Sequence, residues 1–434
     1  MAQIYPFQGF LYNKEIAVDP NNVVTQPYDK TSPAMQDEYY RRSPYNVIRV
    51  TLNREKRDDP DTSYPDAGAT FRAWIEQNVL MREEQPAFYP YYQEYAADGR
   101  VYSQKGFIAL LDLKNSGSAI IPHEQTLAAP KRDRLQLMRS LEGNEDLIYM
   151  LYDDASLAIN RVMDENIAGR APAIEVTDEF EATHRVWTIT EPSALGKIQE
   201  VIRSQNLFIA DGHHRFETSV NFMRECEEKG WTPDGVESFD KRMVACFNSA
   251  AGVTILATHR LLRDIPDFDA AELLKNLETH FSIERLDSAE QLREKMRNER
   301  HVFGCYAGGN RFYLLRLNPA SLHGSVWRGH SEAWRELDVS ILHTLILEQQ
   351  LGIDEKKLAA QTNIDYARSF DACIQRVADG KYQAAFLLNP TPAEQMQRVA
   401  AAGERMPQKS TDFFPKLLTG LVFMKMNIRK PIKN

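Results

Sequence analysis

Apolar residues along the chain recur with two different periods, and the switching between them predicts both helices and strands. Runs rich in β-branched and aromatic residues predict strands over residues 46–52, 88–95, 106–113, 206–210, 243–248 and 254–257. Residues 147–151 and 186–189 are shorter apolar runs of the same kind. Elsewhere the spacing is helical: over 71–81, over 193–202, and from Lys131 onward, where Leu135, Met138 and Leu141 fall on one face. The clearest stripe is Phe216, Val220, Met223 and Cys226, ended near Gly230.

Turn chemistry separates these elements. Pro27 fixes its own φ and biases Gln26 towards an extended shape, and Ser43-Pro44-Tyr45 is a second stop. The charged, Pro-rich stretch 54–68 reads as a solvated loop, and Asp98-Gly99-Arg100 as a turn joining two strands. Near Pro266 the character changes. Residues 269–318 read helix, strand, helix, strand, strand, with Gly308-Gly309-Asn310-Arg311 as a hairpin turn. After His330 the pattern is mainly helical, with a strand at 384–388. The expected class is therefore α+β. The expected division is a core over 1–265, a small inserted α+β unit over 266–325, and a mainly helical part over 326–434 that returns to the core.

Composition narrows the classes. The 434 residues are 43% hydrophobic and 26% charged, which suits a globular chain. Lys plus Arg is 52 against 61 Asp plus Glu, a net charge of −9, which argues against a whole-surface nucleic-acid binder. Cys226, Cys246, Cys305 and Cys373 are scattered without a CxxC pair, so they read as reduced thiols in a cytosolic protein and not as a zinc site. The beginning of the chain, MAQIYPFQGF, does not read as a signal peptide, and the apolar stretch 417–424 is too short for a membrane span.

The most informative stretch is LFIADGHHRFETS, residues 207–219. An apolar strand runs into Asp211-Gly212 and a helix begins at once. Glycine lets backbone approach a ligand closely, and the helix start presents N–H groups with partial positive charge, an arrangement that favours phosphate. Arg215 in the first turn is a candidate bidentate clamp. His213 and His214 are candidate phosphate donors or acid–base groups, and Glu217, four residues past His213, a candidate to orient that imidazole. In the plainer alternative Asp211 only N-caps the helix and the histidines are surface residues. A metal reading is disfavoured, because adjacent helical residues project about 100° apart.

Other loops carry compatible chemistry. Pro122-His123-Glu124-Gln125-Thr126 offers Glu124, or His123, as a general base. Lys131, Arg132, Arg134 and Arg139 follow on a helix; such a run is usually a solvated face, but Lys131 or Arg134 near phosphate would serve as a clamp. Met406-Pro407-Gln408-Lys409-Ser410-Thr411 offers Lys409 as a point charge and Ser410 and Thr411 as donors; it is not a P-loop, since GxxxxGK is absent. Asp29, in Gln26-Pro27-Tyr28-Asp29, is a candidate for a substrate amine or metal, or ordinary turn chemistry.

The DGHHR loop resembles the phosphate-binding loop of the ParB/sulfiredoxin-like superfamily. More closely, PFQG (6–9), QPYD (26–29), SPYNVIRVT (43–51), PHEQT with KRDRLQLMR (122–139), IADGHHRFETS (209–219), THRLL (258–262) and MPQKSTDFFPKLLTGLV (406–422) resemble, in order, the bacterial family of domain of unknown function 1015, DUF1015. Gln26 departs from the Pro usual there, and Asp412 and Phe414 from its usual alternation of aromatics. The resemblance implies a ParB/sulfiredoxin-like mixed sheet with helices over 1–265. It further implies a phosphate or nucleotide held by Asp211, Gly212, His213, His214, Arg215, Lys409, Ser410 and Thr411. Catalysis is then expected from Glu124, His123, His213 or His214, and substrate orientation from Asp29, Glu217, Lys131 and Arg134. The expected reaction is phosphoryl transfer to or from a small hydroxy amino acid or its phosphomonoester, serine or phosphoserine being favoured. It would be serine kinase-like or phosphoserine phosphatase-like, with Mg²⁺ accompanying any nucleotide and no protein-held metal. The rival is a non-catalytic nucleotide-binding switch of ParB type. A small phosphorylated molecule or nucleotide is the expected partner, with neither membrane nor nucleic acid. Glu124, Lys409 and Arg215 are expected to converge.

Overall fold

The computed structural model describes residues 1–54, 64–97, 100–124 and 128–431. Residues 55–63 of the expected loop, Asp98 and Gly99 of the expected turn, and Gln125 and Thr126 lie outside the described residues. The chain is α+β, as its two apolar periods predict, with the mixed sheet that the resemblance implies, and it forms two compact units. The first comprises Met1–Pro122, Thr126–Val253 and Pro415–Asn434; the second His123–Gln125 and Thr254–Phe414.

Among the described residues of the first unit is a nine-stranded sheet. Its order is Ile120–Ile121, Leu207–Asp211, Ile148–Tyr152, Lys241–Asn248, Arg100–Asp112, Tyr89–Ala97, Thr183–Val186, Ile174–Thr177, with Ile4–Tyr5 also on Arg100–Asp112. Two pairings are parallel, Leu207–Asp211 on Ile120–Ile121 and Lys241–Asn248 on Ile148–Tyr152; the rest are antiparallel. Ile148–Tyr152 and Lys241–Asn248 are buried along their whole length, which is why they read as continuous apolar runs and not as alternation. Ile159 and Met163 of helix Ala158–Ile167, and Ile198 and Ile202 of helix Pro192–Arg203, pack onto Phe107, Met150, Ile209 and Val244. A second cluster joins Phe71 and Trp74 of helix Pro65–Glu76 to Leu137 and Leu141 of helix Ala128–Leu141, and to Phe423. The chain's last stretch closes this unit: Thr419 bridges Thr25, Phe423 bridges Phe10, and Met424–Lys425 pairs with Gly143–Asn144.

Two expectations need correction here. Residues 46–52 are not a strand: Ile48–Thr51 is a short helix, because the buried Asn46 side chain accepts from Ile48 N at 2.9 Å and starts a turn. The expected loop also ends early, since Pro65–Gly68 open a helix with Pro in its first turn.

The second unit is built on a six-stranded antiparallel sheet. Its order is Phe281–Leu286, Phe312–Leu317, Val302–Tyr306, Ala384–Leu387, His259–Leu262, Ile364–Ala367. The helix–strand–helix–strand–strand order expected over 269–318 is present, and its three strands share this sheet with strands before and after it. Both faces are covered. Phe303, Cys305, Ala384 and Phe386 face one apolar cluster with Leu273, Leu277 and Leu345, while Val302, Tyr306, Ala385 and Leu387 face another with Leu292, Met296 and Val377. All four cysteines are free and buried.

Candidate functional site

The strand Leu207–Asp211 hands over to helix His213–Glu228 through a single residue, Gly212, at φ 95°. Two facts require glycine there. The backbone is left-handed, and a Cβ would lie 3.0–3.1 Å from the guanidinium of Arg215. Arg215 therefore folds back beneath the turn. It is buried, and its Nη1 donates to the Leu147 carbonyl at 2.5 Å and lies 3.8 Å from Asp146. Its Nη2 lies 3.7 Å from Asp211.

Asp211 is not the helix cap of the plainer reading. The cap is Gly212 with no side-chain hydrogen bond, and the Asp211 carboxylate accepts from Gly212 N at 2.9 Å and from Lys416 Nζ at 3.3 Å. Burial alone would raise its pKa, but Lys416, Arg215 and Lys30 outweigh this and hold it well below the carboxylate range. His213 is buried and His214 half-buried in the first helical turn. Glu217 pairs with Lys131 at 2.9 Å.

Beneath the turn lies a narrow recess lined by Arg134, Glu145, Asp146, Arg215, Thr218 and Arg242 among others, with a free volume of about 20 Å³. Asp146 is ion-paired to Arg242. Glu145 and Asp146 are adjacent yet driven apart. Burial and the neighbouring Asp146 push Glu145 up to about 7, whereas Asp146, also buried, is lowered by Arg242 and Arg215. Thr51 donates its hydroxyl to Glu145 at 3.1 Å. Arg134 is buried and not on a solvated face: it donates to Asp133 and Tyr64 at 2.6 Å and to Thr51 O at 2.9 Å, and its guanidinium sits 4.1 Å from the centre of the Tyr28 ring. Burial raises Tyr28 to about 12 against the opposing charge of Arg134. Asp29 is exposed on the same turn and contributes to the field at Arg215.

Glu124 and Lys409 fall in the second unit, Arg215 in the first. Within the second unit the expected residues cluster. Glu124 bridges Met406, its carboxylate accepts from Lys409 N at 3.3 Å, and His123 Nε2 meets Thr411 Oγ1 at 3.0 Å. Lys409 has a left-handed backbone, φ 58°, and its carbonyl accepts from the buried Arg260 at 3.1 Å. Ser410 is buried and donates to the Pro407 carbonyl at 2.5 Å.

The sequence reading missed Tyr28, Lys30, Glu145, Asp146, Arg242 and Lys416. A signal existed for four of them: Glu145-Asp146 abut a buried apolar strand, Arg242 is the second residue of another, and Lys416 interrupts the apolar stretch after Phe413. Charges so placed are buried only when paired.

Among the described residues no group of His, Cys, Asp or Glu is arranged to hold a metal ion, and no helix is long and apolar enough to cross a membrane. Residues 4–340 match the family described as Protein of unknown function (DUF1015). The chain belongs to the DUF1015 family. No curated protein matches this DUF1015 chain. Among solved structures it is similar to a conserved hypothetical protein from Pyrococcus furiosus, at 12% identity and TM-score 0.35, covering 71% of this chain and 93% of that one. It is also similar to a free serine kinase in complex with AMP, at 11% identity and TM-score 0.35, covering 70% and 86%. A third is SbnI with C-terminal truncation from Staphylococcus aureus, at 11% identity and TM-score 0.36, covering 72% and 85%.

Proposed function

We propose that this DUF1015 protein moves a phosphoryl group to or from a small hydroxy amino acid, serine or phosphoserine, with the phosphate held at Asp211–Arg215. The observation that carries this reading is the left-handed Gly212 turn set over a buried guanidinium, with Lys416 bonded to Asp211 and Lys30 acting on it. Phosphoryl transfer asks a protein mainly for positioning and charge neutralisation, and cations fixed in advance by paired carboxylates supply both without reorganising during the reaction. The same carboxylates are committed: Asp146 to Arg242 and Arg215, Asp211 to Lys416 and Arg215. They do not make a resident metal site, so Mg²⁺ would enter with the nucleotide.

A phosphate-release and transfer screen with phosphoserine, and with serine plus ATP or ADP, tests the reading directly. Arg215→Lys and Lys416→Met should each lower turnover by roughly 30- to 1000-fold, the effect of about 2–4 kcal/mol of lost transition-state stabilisation. Binding of nucleotide by the wild type with no product under any condition would instead favour a non-catalytic switch.

A further inference from the structure

A chain of buried hydrogen bonds crosses the first unit. Gln26 Nε2 donates to Asp178 Oδ2 at 3.0 Å, and His184 Nε2 lies 3.2 Å from the same oxygen. His184 Nδ1 is 2.7 Å from the Tyr91 hydroxyl. The Tyr91 oxygen also receives Gln93 Nε2 at 3.3 Å and Leu418 N at 3.4 Å, and Gln93 Nε2 donates to the Lys416 carbonyl at 3.1 Å. Tyr91, Gln93 and His184 are each 0% exposed.

The chain has a direction. A carboxylate only accepts, so Asp178 accepts a hydrogen bond from His184 Nε2–H, and in the neutral imidazole Nδ1 is then the acceptor. In that tautomer Tyr91 gives its hydrogen to Nδ1, and in either case its oxygen accepts from the N–H groups of Leu418 and Gln93. A buried network in which each member's role follows from its neighbour specifies one arrangement of whatever it holds. What it holds is two strands of chain. Gln26 precedes Lys30, and Lys416 and Leu418 belong to the returning segment. The two are stitched together by Thr25 N to Thr419 O at 3.2 Å and Thr419 N to Thr25 O at 2.9 Å. Lys30 and Lys416 both act on Asp211.

We infer that Tyr91 and His184 are positioning residues which, through the Lys416 main chain, set the Lys416 ammonium against Asp211 at the phosphate loop. The inference rests on the phosphoryl-transfer reading for its purpose, but the positioning has a test of its own. Native-state amine modification, read by mass spectrometry in the full-length protein, measures how firmly Lys416 is held. Lys241, buried in the same unit and paired with Asp112 and Asp240, reports general loosening. Tyr91→Phe should speed labelling of Lys416 about tenfold, the loss expected from one buried hydrogen-bond network member, and leave Lys241 unchanged. Labelling that rises equally at both lysines, or at neither, overturns the inference. In turnover, Tyr91→Phe should lower kcat about tenfold in the wild-type background and add nothing beside Lys416→Met. An equal loss in both backgrounds also overturns it. If the wild type turns over none of the substrates, the functional reading fails while the labelling still decides the positioning.

Discussion

At the scale of single residues, Gly212 and Glu145 carry opposite lessons. Gly212 was legible as the turn between a strand and a helix, and the structure adds that its backbone is left-handed, φ 95°. Gly212→Ala should cost about 1–3 kcal/mol, since the backbone is strained for any Cβ and the guanidinium of Arg215 cannot retreat from its buried partners. Gly196→Ala is the control: it sits in helix Pro192–Arg203 with nothing within 4 Å, and should stabilise by up to about 1 kcal/mol. Denaturant melts of both variants check the pair. The burial of Glu145 could be read, but its raised pKa could not, because nothing in the sequence tells that Asp146 is claimed by Arg242 while burial and Asp146 push Glu145 up. Its pKa rises from an ordinary 4.5 to about 7, so between those values the native state binds more protons than the unfolded chain. Its stabilising contribution is full below pH 4.5 and is lost as pH rises through 7. Glu145→Gln should remove that loss, so wild type minus variant stability should fall by about 1–3 kcal/mol from pH 4.5 to pH 8. A difference that stays flat across this window would place the proton elsewhere.

At the scale of elements, long periodic segments could be read, because burial dictates their pattern. Helix His213–Glu228 forms where its period predicts, but of the expected stripe only Met223 and Cys226 are buried, Phe216 and Val220 being half-buried while Thr218, Ser219 and Phe222 turn inward; Ala384–Leu387 was found by its apolar run alone. Residues 46–52 are not a strand because β-branched composition is a weak preference that one turn-forming side chain overrides. Asn46 is 0% exposed and donates to Asn22 O at 2.8 Å while accepting from Ile48 N, so it ties the helix Ile48–Thr51 to the segment before Gln26. Asn46→Ala should cost about 1–3 kcal/mol by leaving those groups unpaired, whereas a strand at this place would tolerate it. The returning segment was hard to read for a related reason. Its short pairings, Thr419 with Thr25 and Met424–Lys425 with Gly143–Asn144, depend on partners hundreds of residues away and leave no local period.

At the scale of the molecule, the chain leaves its first unit at Val253 and returns to it at Pro415, and each unit has its own apolar clusters. Phe107, Met150 and Ile209 belong to one core, Phe303, Leu315 and Phe386 to another. Cores that share no side chains can melt separately, and a chain of two such units is not expected to unfold in a single all-or-none step. Truncating a fully buried phenylalanine removes its transfer energy and leaves a cavity, about 3–5 kcal/mol in all. Phe386→Ala should therefore lower one calorimetric transition by several degrees and leave the other in place, and Phe107→Ala should do the reverse. The transition lowered by Phe107→Ala should also be the one raised by phosphate or phosphoserine, because Asp211, Gly212 and Arg215 belong to the first unit and a ligand stabilises only the part that binds it. Ligand that raised only the transition sensitive to Phe386→Ala would move the phosphate site to the cluster of Glu124, Lys409 and Arg260.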